Sequence, residues 1–152
     1  IGRFKKEKGI FSLIDLLNEL PDKYQLTIVG NNKQTSIDQK KINLKGQIYE
    51  INELIKTYDN HNIFILPSFT EGAPKVILES LARKRPVIIF KEITHVISNY
   101  KGIFVSERNS ESLKNLIDYI LKNYKQIQTS INSNVLHLKK DFQAELLKIL
   151  DD

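Results

Sequence analysis

The sequence predicts an α/β fold built on a doubly wound, Rossmann-like parallel sheet. Two short runs, residues 63–66 and 87–90, consist entirely of Ile, Leu, Val and Phe, which is typical of strands that helices cover on both faces. Segments with helical spacing alternate with such runs along the chain. This alternation favours right-handed β-α-β crossovers and therefore parallel strands. Because the 152 residues contain neither a repeat nor an internal linker, we expect residues 1–152 to form one domain.

In the first half of the chain, predicted elements end at Gly and Pro. Ile1 is interpreted as the end of a first strand, and a helix is predicted over residues 10–20, where Pro21 stops it. Residues 24–30 are rich in β-branched residues and end in glycine, as strands often do. The polar segment 31–41 is a predicted loop. The other predicted elements of this half are a strand at residues 42–44 and a helix at residues 51–58.

In the second half, Pro and Asn mark the element boundaries. Pro67 stops the strand at residues 63–66, and Pro74 is predicted at the first position of a helix that continues to residue 82. Asn109 is a predicted N-cap for a clearly amphipathic helix. The remaining predicted elements are strands at residues 87–90 and 102–105 and a last helix at residues 139–150.

Composition and charge restrict the class of protein. The net charge is +5 and the pI is about 9.3, but the lysines are spread along the chain and most Phe and Tyr residues fall at apolar positions of predicted elements. We therefore expect no nucleic-acid partner. No apolar run approaches the roughly 18 residues of a membrane span. With no cysteine, a cytoplasmic location is expected, and the excess positive charge allows peripheral contact with anionic lipid on the inner face of the cytoplasmic membrane.

The chemically informative residues follow two predicted strands. In doubly wound sheets, ligands bind beyond the carboxyl ends of the strands, where the strand order reverses. In the order 3-2-1-4-5-6 this crevice lies between the first and fourth strands, which end here at Gly2-Arg3 and at Pro67. Glu71 follows in a loop, and Glu79 lies about two turns into the next helix. The topology therefore predicts that these two groups of residues meet at one site.

The two carboxylates suit a sugar or a ribose. Carboxylates accept hydrogen bonds from neighbouring hydroxyl groups, so Glu71 and Glu79 are candidate ligands for such groups. The alternative for Glu79 is an ordinary helix salt bridge with Arg83, four residues later. As a pair in one crevice, the glutamates favour the binding interpretation.

Cations and backbone donors near the same crevice suit a diphosphate. Arg3 offers a forked guanidinium and Lys8 a compact charge for phosphate oxygens, while Gly2 allows close approach of the backbone. The amides at the helix start near Lys75 and Val76 add donors and the positive end of the helix dipole. The alternative is that the two cations are solvated surface residues. Together these residues predict a nucleotide-sugar site.

Two segments resemble conserved motifs of the group 1 retaining glycosyltransferases. The run IGRFKKEKG resembles their G-R-x-x-x-x-K-G segment, and PSFTEGAPKVILESLA resembles their E-x7-E segment. The segments IVG and RPVIIF occur in the expected order between and after them. The resemblance covers nearly the whole chain and implies the C-terminal, donor-binding half of a GT-B fold.

The resemblance implies specific roles at the predicted site. Arg3 and Lys8 would bind the diphosphate and stabilise the leaving group, and Glu71 would orient the donor sugar. Those three residues are the implied catalytic set. The implied substrate-binding residues comprise the glycine of the first motif, the backbone amides and helix start of the second motif, the ribose ligand, and the loop that faces the base: Gly2, Gly72, Ala73, Lys75, Val76, Glu79, Gln47 and Ile48.

The resemblance also implies the reaction and its partners. A sugar would pass, with retention of anomeric configuration, from a UDP- or GDP-sugar to a glycan or lipid-linked glycan in surface polysaccharide or glycolipid synthesis. The acceptor would bind to an N-terminal domain that is absent from this sequence, so the isolated chain is expected to be inactive. No cofactor and no metal are expected, because protein cations replace the metal and no D-x-D motif occurs.

One segment departs from the family pattern. Family members carry a Gly-Gly-x-x-E run after the fifth strand, where this chain reads FKEITHVISNYKG and places His95 near the expected glutamate. His95 either contacts the sugar or phosphate or has a structural role. We interpret His61 and His137 as incidental.

Three other functions are weighed against this one. A non-catalytic nucleotide-binding module would use Arg3 and Lys8 but has no need of Glu71. A receiver-like regulatory domain needs an acidic pair after the first strand, and this chain has Gly2-Arg3 there. A dehydrogenase of the NAD type needs G-x-G-x-x-G at the same place, and this motif is missing. The nucleotide-binding module is the main alternative.

Overall fold

The computed structural model describes residues 5–30, 40–97 and 99–136, and it confirms the predicted α/β fold class with parallel sheets flanked by helices. The strands are β1 (Leu26–Val29), β2 (Ile42–Lys45), β3 (Phe64–Leu66), β4 (Val87–Phe90) and β5 (Ile103–Ser106). The α-helices are α1 (Ile10–Asn18), α2 (Ile51–Asp59), α3 (Lys75–Ala82), α4 (Ser110–Lys122) and α5 (Tyr124–Ile131). Two 3-10 helices cover Lys6–Lys8 and Lys91–Val96.

The described strands form two parallel sheets. In the first sheet β1 pairs with β2, with Leu26 opposite Ile42. In the second, β4 lies between β3 and β5, so that Ile88 is opposite Ile65 on one side and Phe104 on the other. The predicted first strand at Ile1 lies outside the described residues. The order 3-2-1-4-5-6 therefore stays a prediction.

A single apolar cluster joins both sheets to the helices. All four side chains of β4 are fully buried, as the solid apolar run predicts for a central strand. Ile28 of β1 and Leu113 of α4 belong to the same cluster. Because each such side chain contributes about 1.5–3 kcal/mol on burial, this cluster is the main source of stability for the described part of the chain.

The observed element boundaries agree with the predicted ones to within about two residues, apart from the differences that follow. Asn109 caps α4 as predicted, since its Oδ1 accepts a hydrogen bond of 2.8 Å from the amide of Ser112. Pro74 was expected to begin α3, but its ψ of 98° is extended, so the helix begins one residue later. Helix α5 was not predicted. The predicted helix at residues 139–150 and His137 lie outside the described residues.

The carboxyl ends of the second sheet define one edge of the molecule. Parallel strands deliver three connecting segments to this edge: the Glu71 loop (residues 67–74) after β3, the 3-10 helix Lys91–Val96 after β4, and residues 107–109 after β5. The 3-10 helix Lys6–Lys8 reaches the same edge, because the amide of Phe69 donates to the carbonyl of Glu7 over 2.9 Å. The candidate site is built from these four segments.

Candidate functional site

The carboxylate of Glu71 is held by two donors. Its Oε1 accepts a hydrogen bond of 2.7 Å from Lys8 Nζ and one of 2.6 Å from Ser68 Oγ. The side chains of Lys8 and Glu71 are 25% and 11% exposed, so water screens this ion pair less than it screens an ordinary surface pair. The structure thus joins two predicted site residues that are far apart in sequence.

The backbone at Gly9 explains why Lys8 reaches the Glu71 loop. Gly9 has a φ of 64° and ends the 3-10 helix immediately before α1. A Cβ atom at this position would lie 1.9 Å from the carbonyl oxygen of Pro67, a distance that no side chain tolerates. Glycine therefore permits both the left-handed backbone and the direct contact that places Lys8 beside Glu71.

His95 contacts the backbone of the Glu71 loop. Its Nε2 donates a hydrogen bond of 2.7 Å to the carbonyl oxygen of Glu71. The imidazole comes from the 3-10 helix Lys91–Val96, in the segment where the resemblance led us to expect a glycine pair. This contact supports the structural interpretation of His95, because the ring fixes the residue whose side chain is the predicted sugar ligand.

Glu79 has a different partner from the one that a helix salt bridge predicts. Its Oε2 accepts a hydrogen bond of 2.9 Å from the hydroxyl of Tyr58 on α2, whereas Arg83 pairs with Asp59 over 3.0 and 2.5 Å. Burial raises the pKa of Tyr58, and the charge of Glu79 raises it further, so the phenol stays protonated and acts as the donor. Tyr58 therefore orients the Glu79 carboxylate.

The other predicted ligands lie in exposed connecting segments. Gly72, Ala73 and Lys75 are exposed at the start of α3, where the amide of Ile77 bonds to the carbonyl of Pro74 over 3.1 Å. The backbone amides before this turn have no acceptor within the helix, as at any helix start. The remaining predicted ligands are the half-buried Val76 and Ile48 and the exposed Gln47. Gly2 and Arg3 lie outside the described residues.

Sequence reasoning missed Arg108 at this edge. The guanidinium donates to the carbonyls of Pro67 and Ser68 over 3.0 and 3.3 Å and to Glu92 Oε1 over 2.7 Å. Its sequence signal is its place, two residues after the end of β5 and therefore at the carboxyl edge of the sheet. Ser68 and Tyr58 were also missed as partners of the two glutamates.

A separate cavity of about 440 Å³ lies between β1 and β3. Its described lining is mainly apolar and contains Tyr58 and His61 but neither Glu71 nor Lys8. The His61 ring bonds to the carbonyl of Thr57 over 2.6 Å and to the hydroxyl of Thr27 over 2.7 Å. His61 therefore ties α2 to β1, which agrees with its interpretation as incidental to the site.

Residues 5–30, 40–97 and 99–136 contain neither a candidate metal site nor a candidate membrane span. Within these ranges, no group of three or more His, Asp or Glu side chains is placed to hold a metal ion. No helix in the same ranges has both the length and the apolar character needed to cross a bilayer.

Two curated glycosyltransferases from bacterial polysaccharide synthesis are similar to this chain. TuaC of Bacillus subtilis, named for teichuronic acid biosynthesis, is 27% identical over 122 residues, which are 77% of this chain and 31% of TuaC. CapM of Staphylococcus aureus, named for capsular polysaccharide biosynthesis, is 23% identical over 160 aligned positions, covering 97% of this chain and 42% of CapM. The chain thus spans less than half the length of either relative.

Solved structures share the fold. Sucrose-phosphate synthase from Thermosynechococcus elongatus superposes with a TM-score of 0.75 at 20% identity, covering 99% of this chain and 44% of that one. Anabaena HepE in complex with UDP-glucose has a TM-score of 0.67 at 19% identity, covering 86% of this chain and 40% of that one. These likenesses establish the fold of a GT-B glycosyltransferase half.

The family model of the group 1 glycosyl transferases matches residues 1–135. This match covers most of the chain and includes both segments on which the resemblance rests. The glutamate loop and the lysine that contacts it fall inside the matched range. The chain therefore belongs to the group 1 glycosyl transferase family.

Proposed function

We propose that this chain is the donor-binding part of a retaining glycosyltransferase that transfers a sugar from a UDP- or GDP-sugar without a metal ion or cofactor. The observation that carries the proposal is the Lys8–Glu71 pair at the carboxyl edge of the second sheet, 2.7 Å apart. One partner attracts phosphate and the other accepts sugar hydroxyls, and they lie side by side. A donor in which a sugar is joined to a diphosphate presents both kinds of group next to each other.

Lys8 stabilises the charge that develops on the departing diphosphate. A fixed cation in a partly buried site stabilises developing negative charge without reorganisation. Arg3, outside the described residues, is proposed to add a second cation to the same diphosphate. With two protein cations at the leaving group, a metal ion has no required role, and this argument supports metal independence.

Glu71 and the start of α3 bind the donor sugar. The carboxylate of Glu71, with the amides of Gly72 and Ala73, offers acceptors and donors for the hydroxyls. The helix start at Lys75 and Val76 adds the positive end of the helix dipole. Orientation of the sugar above the diphosphate is the contribution of this loop to the reaction.

The nucleoside lies toward α2. Tyr58 holds one oxygen of the Glu79 carboxylate, and among the described residues Oε1 of Glu79 has no hydrogen-bond donor. We assign this oxygen to the ribose hydroxyls, and we assign the base to the loop at Gln47 and Ile48. The complex of HepE with UDP-glucose makes UDP the first nucleotide to test.

The acceptor is a glycan or lipid-linked glycan of a surface polysaccharide. The names of TuaC and CapM support this setting. We propose that a second domain of the enzyme holds the acceptor, that this chain alone is inactive, and that the enzyme works in the cytoplasm with peripheral contact at the membrane. The positive net charge of the chain supports attraction to anionic lipid.

Calorimetry of the complete enzyme with UDP, GDP, ADP and their sugars tests this function. Lys8→Ala should weaken binding of the nucleoside diphosphate by about 1.5–3 kcal/mol, the range for hydrogen bonds to charged groups, and should affect the nucleoside much less. Lys6→Ala is the matched control, because Lys6 is an exposed lysine of the same 3-10 helix. If Lys8→Ala weakened nucleoside and diphosphate equally, or if no nucleotide bound, the proposal would be wrong.

A non-catalytic nucleotide-binding module is the second candidate. The observation that favours it is that Lys8 and Ser68 already satisfy Oε1 of Glu71, as they would for a glutamate with only a structural role. The two functions differ in what Glu71 does during turnover. Only the catalytic function requires the charge of Glu71.

A further inference from the structure

The backbone of the Glu71 loop is held by side chains from the segments that follow two neighbouring strands, β4 and β5. Arg108, after β5, donates to the carbonyl of Pro67 over 3.0 Å and to that of Ser68 over 3.3 Å. His95, after β4, donates to the carbonyl of Glu71 over 2.7 Å. The loop is therefore fixed at its beginning and at the glutamate itself, while the carboxylate of Glu71 contacts neither residue.

The surroundings of Arg108 are specific for a guanidinium. Its Cζ lies 4.0 Å from the ring centroid of Phe69 and 4.2 Å from that of Phe90, so the group packs against two aromatic rings. Its side chain is only 14% exposed. A flat group with donors along its edge fits this arrangement, whereas the ammonium of lysine has no planar face and no fork.

Glu92 keeps Arg108 in this orientation. Arg108 Nε donates to Glu92 Oε1 over 2.7 Å, and this hydrogen bond lowers the pKa of Glu92 although burial opposes the change. The carboxylate therefore stays charged near neutral pH. With Nε bound to Glu92, the two terminal nitrogens face the carbonyls of the loop.

We propose that Arg108 is a positioning residue that sets the location of the Glu71 carboxylate for the donor sugar, with His95 fixing the loop backbone at Glu71 itself. The chain of contacts runs from Arg108 through the carbonyls of Pro67 and Ser68 to the Ser68 hydroxyl, which donates to Glu71 Oε1 over 2.6 Å. This inference rests on the proposed function, because it assumes that Glu71 binds the sugar. Arg108 itself does not touch the donor.

The test uses the complete enzyme with Arg108→Gln, Arg108→Lys and, as a matched control, Arg83→Gln. Arg83 also binds a carboxylate, that of Asp59, but it lies at the end of α3 away from the loop. The first measurement is amide hydrogen exchange without ligand, comparing residues 67–74 with β4. The second is calorimetry with UDP and with UDP-glucose, or with whichever sugar of the UDP, GDP and ADP series the unaltered enzyme binds best.

Arg108→Gln should increase exchange in residues 67–74 at the amide of Phe69, which is hydrogen-bonded to the carbonyl of Glu7, by at least about tenfold, the size expected when charged hydrogen bonds are lost. Exchange in β4 should not change, and Arg83→Gln should leave residues 67–74 as they are. Arg108→Gln should also weaken binding of the nucleotide sugar at least about fivefold more than binding of the free nucleotide. Arg108→Lys should restore only part of this difference, because lysine keeps the charge but not the fork.

Three results would overturn the inference. Exchange in residues 67–74 that does not increase beyond that of β4 would show that Arg108 does not hold the loop. Equal weakening of UDP and its sugar would show that Arg108 has only a structural role, and full rescue by lysine would refute the role assigned to the guanidinium fork. Failure of the unaltered enzyme to bind any nucleotide would instead refute the proposed function itself, whatever the variants do.

Discussion

Replacing Glu71 with glutamine separates a catalytic glutamate from a structural one. Glutamine keeps the size of the side chain and an oxygen that can accept from Lys8 and Ser68, so the geometry of the loop should persist. What changes is the charge. The two hydrogen bonds at Oε1, of 2.7 and 2.6 Å, become bonds to a neutral oxygen, and Lys8 loses its counter-ion.

The magnitude follows from these contacts. A hydrogen bond to a charged group contributes about 1.5–3 kcal/mol and a neutral one about 0.5–1.5 kcal/mol, so the bond from Ser68 loses on the order of 1 kcal/mol. The bond from Lys8 keeps its charged donor and loses only the attraction between the two charges. That loss acts on the empty site. The bound diphosphate then finds a lysine without a competing carboxylate, so UDP should bind as tightly as before or up to about tenfold more tightly, a change of about 1.4 kcal/mol.

Turnover should change in the opposite direction. If the charge of Glu71 matters where the sugar becomes cation-like, the interaction is stronger in the transition state than in the ground state. Removing one such preorganised electrostatic group lowers kcat on the order of 10²-fold. Nucleotide affinity and turnover should thus move apart, which a purely structural glutamate does not predict.

The assay combines calorimetry with UDP and single-turnover transfer by the complete enzyme. Glu19→Gln, at the exposed end of α1, removes the same charge elsewhere and should change neither quantity. A turnover rate for Glu71→Gln within about twofold of the unaltered enzyme would contradict the catalytic role. Parallel losses of UDP affinity and turnover would indicate instead that glutamine had disrupted the loop.

Three further predictions concern the ribose ligand, metal ions and acid stability. Glu79→Ala should weaken binding of free UDP by about 1–3 kcal/mol, whereas Tyr58→Phe should weaken it less; unchanged UDP affinity in Glu79→Ala, measured by calorimetry, would exclude the ribose role. Donor titrations with EDTA and with added Mg²⁺ or Mn²⁺ should agree, and a metal requirement of about tenfold would contradict protein cations as the replacement for the metal. A hydrogen bond from Tyr24, with support from Lys114, lowers the pKa of Asp118 to about 2 from an ordinary 3.8. The charged Asp118 therefore stabilises the folded state above about pH 4, and this contribution is lost as the pH falls toward 2. Asp118→Asn should reduce the pH dependence of the free energy of unfolding over this interval, measured by urea titration, and an unchanged pH dependence would contradict the assignment.

Much of the described fold could be predicted because strong local signals agree with the final packing. The solid apolar run of β4 predicts burial on both faces, and all four side chains are buried. Helix α5 was missed for the opposite reason. Its buried residues are only Ile127 and Ile131, one turn apart among polar residues, so the apolar period is too short to recognise. It also follows α4 after the single residue Asn123, which leaves no loop signal.

The candidate site was predictable at the level of topology and not at the level of contacts. Parallel strands bring their carboxyl ends to one edge, and this rule together with the assumed order 3-2-1-4-5-6 predicted that the segments of Lys8 and Glu71 lie near each other. Their direct ion pair was not predicted, because each was assigned to a different part of the ligand. The supports from Ser68 and Arg108 depend on side-chain directions after two different strands, β3 and β5, which sequence spacing does not specify.

The ion pair between Lys8 and Glu71 gives the proposed reaction cycle an internal competitor. Lys8 is already paired with Glu71, so a bound diphosphate would compete with this carboxylate for the lysine. In the proposed cycle, the same carboxylate would pair with the ammonium group again when the nucleotide leaves, so the partly buried lysine would not be left without a counter-ion. A site of this kind lowers the barrier to product departure at the expense of maximal affinity, and it keeps the empty enzyme from retaining stray anions.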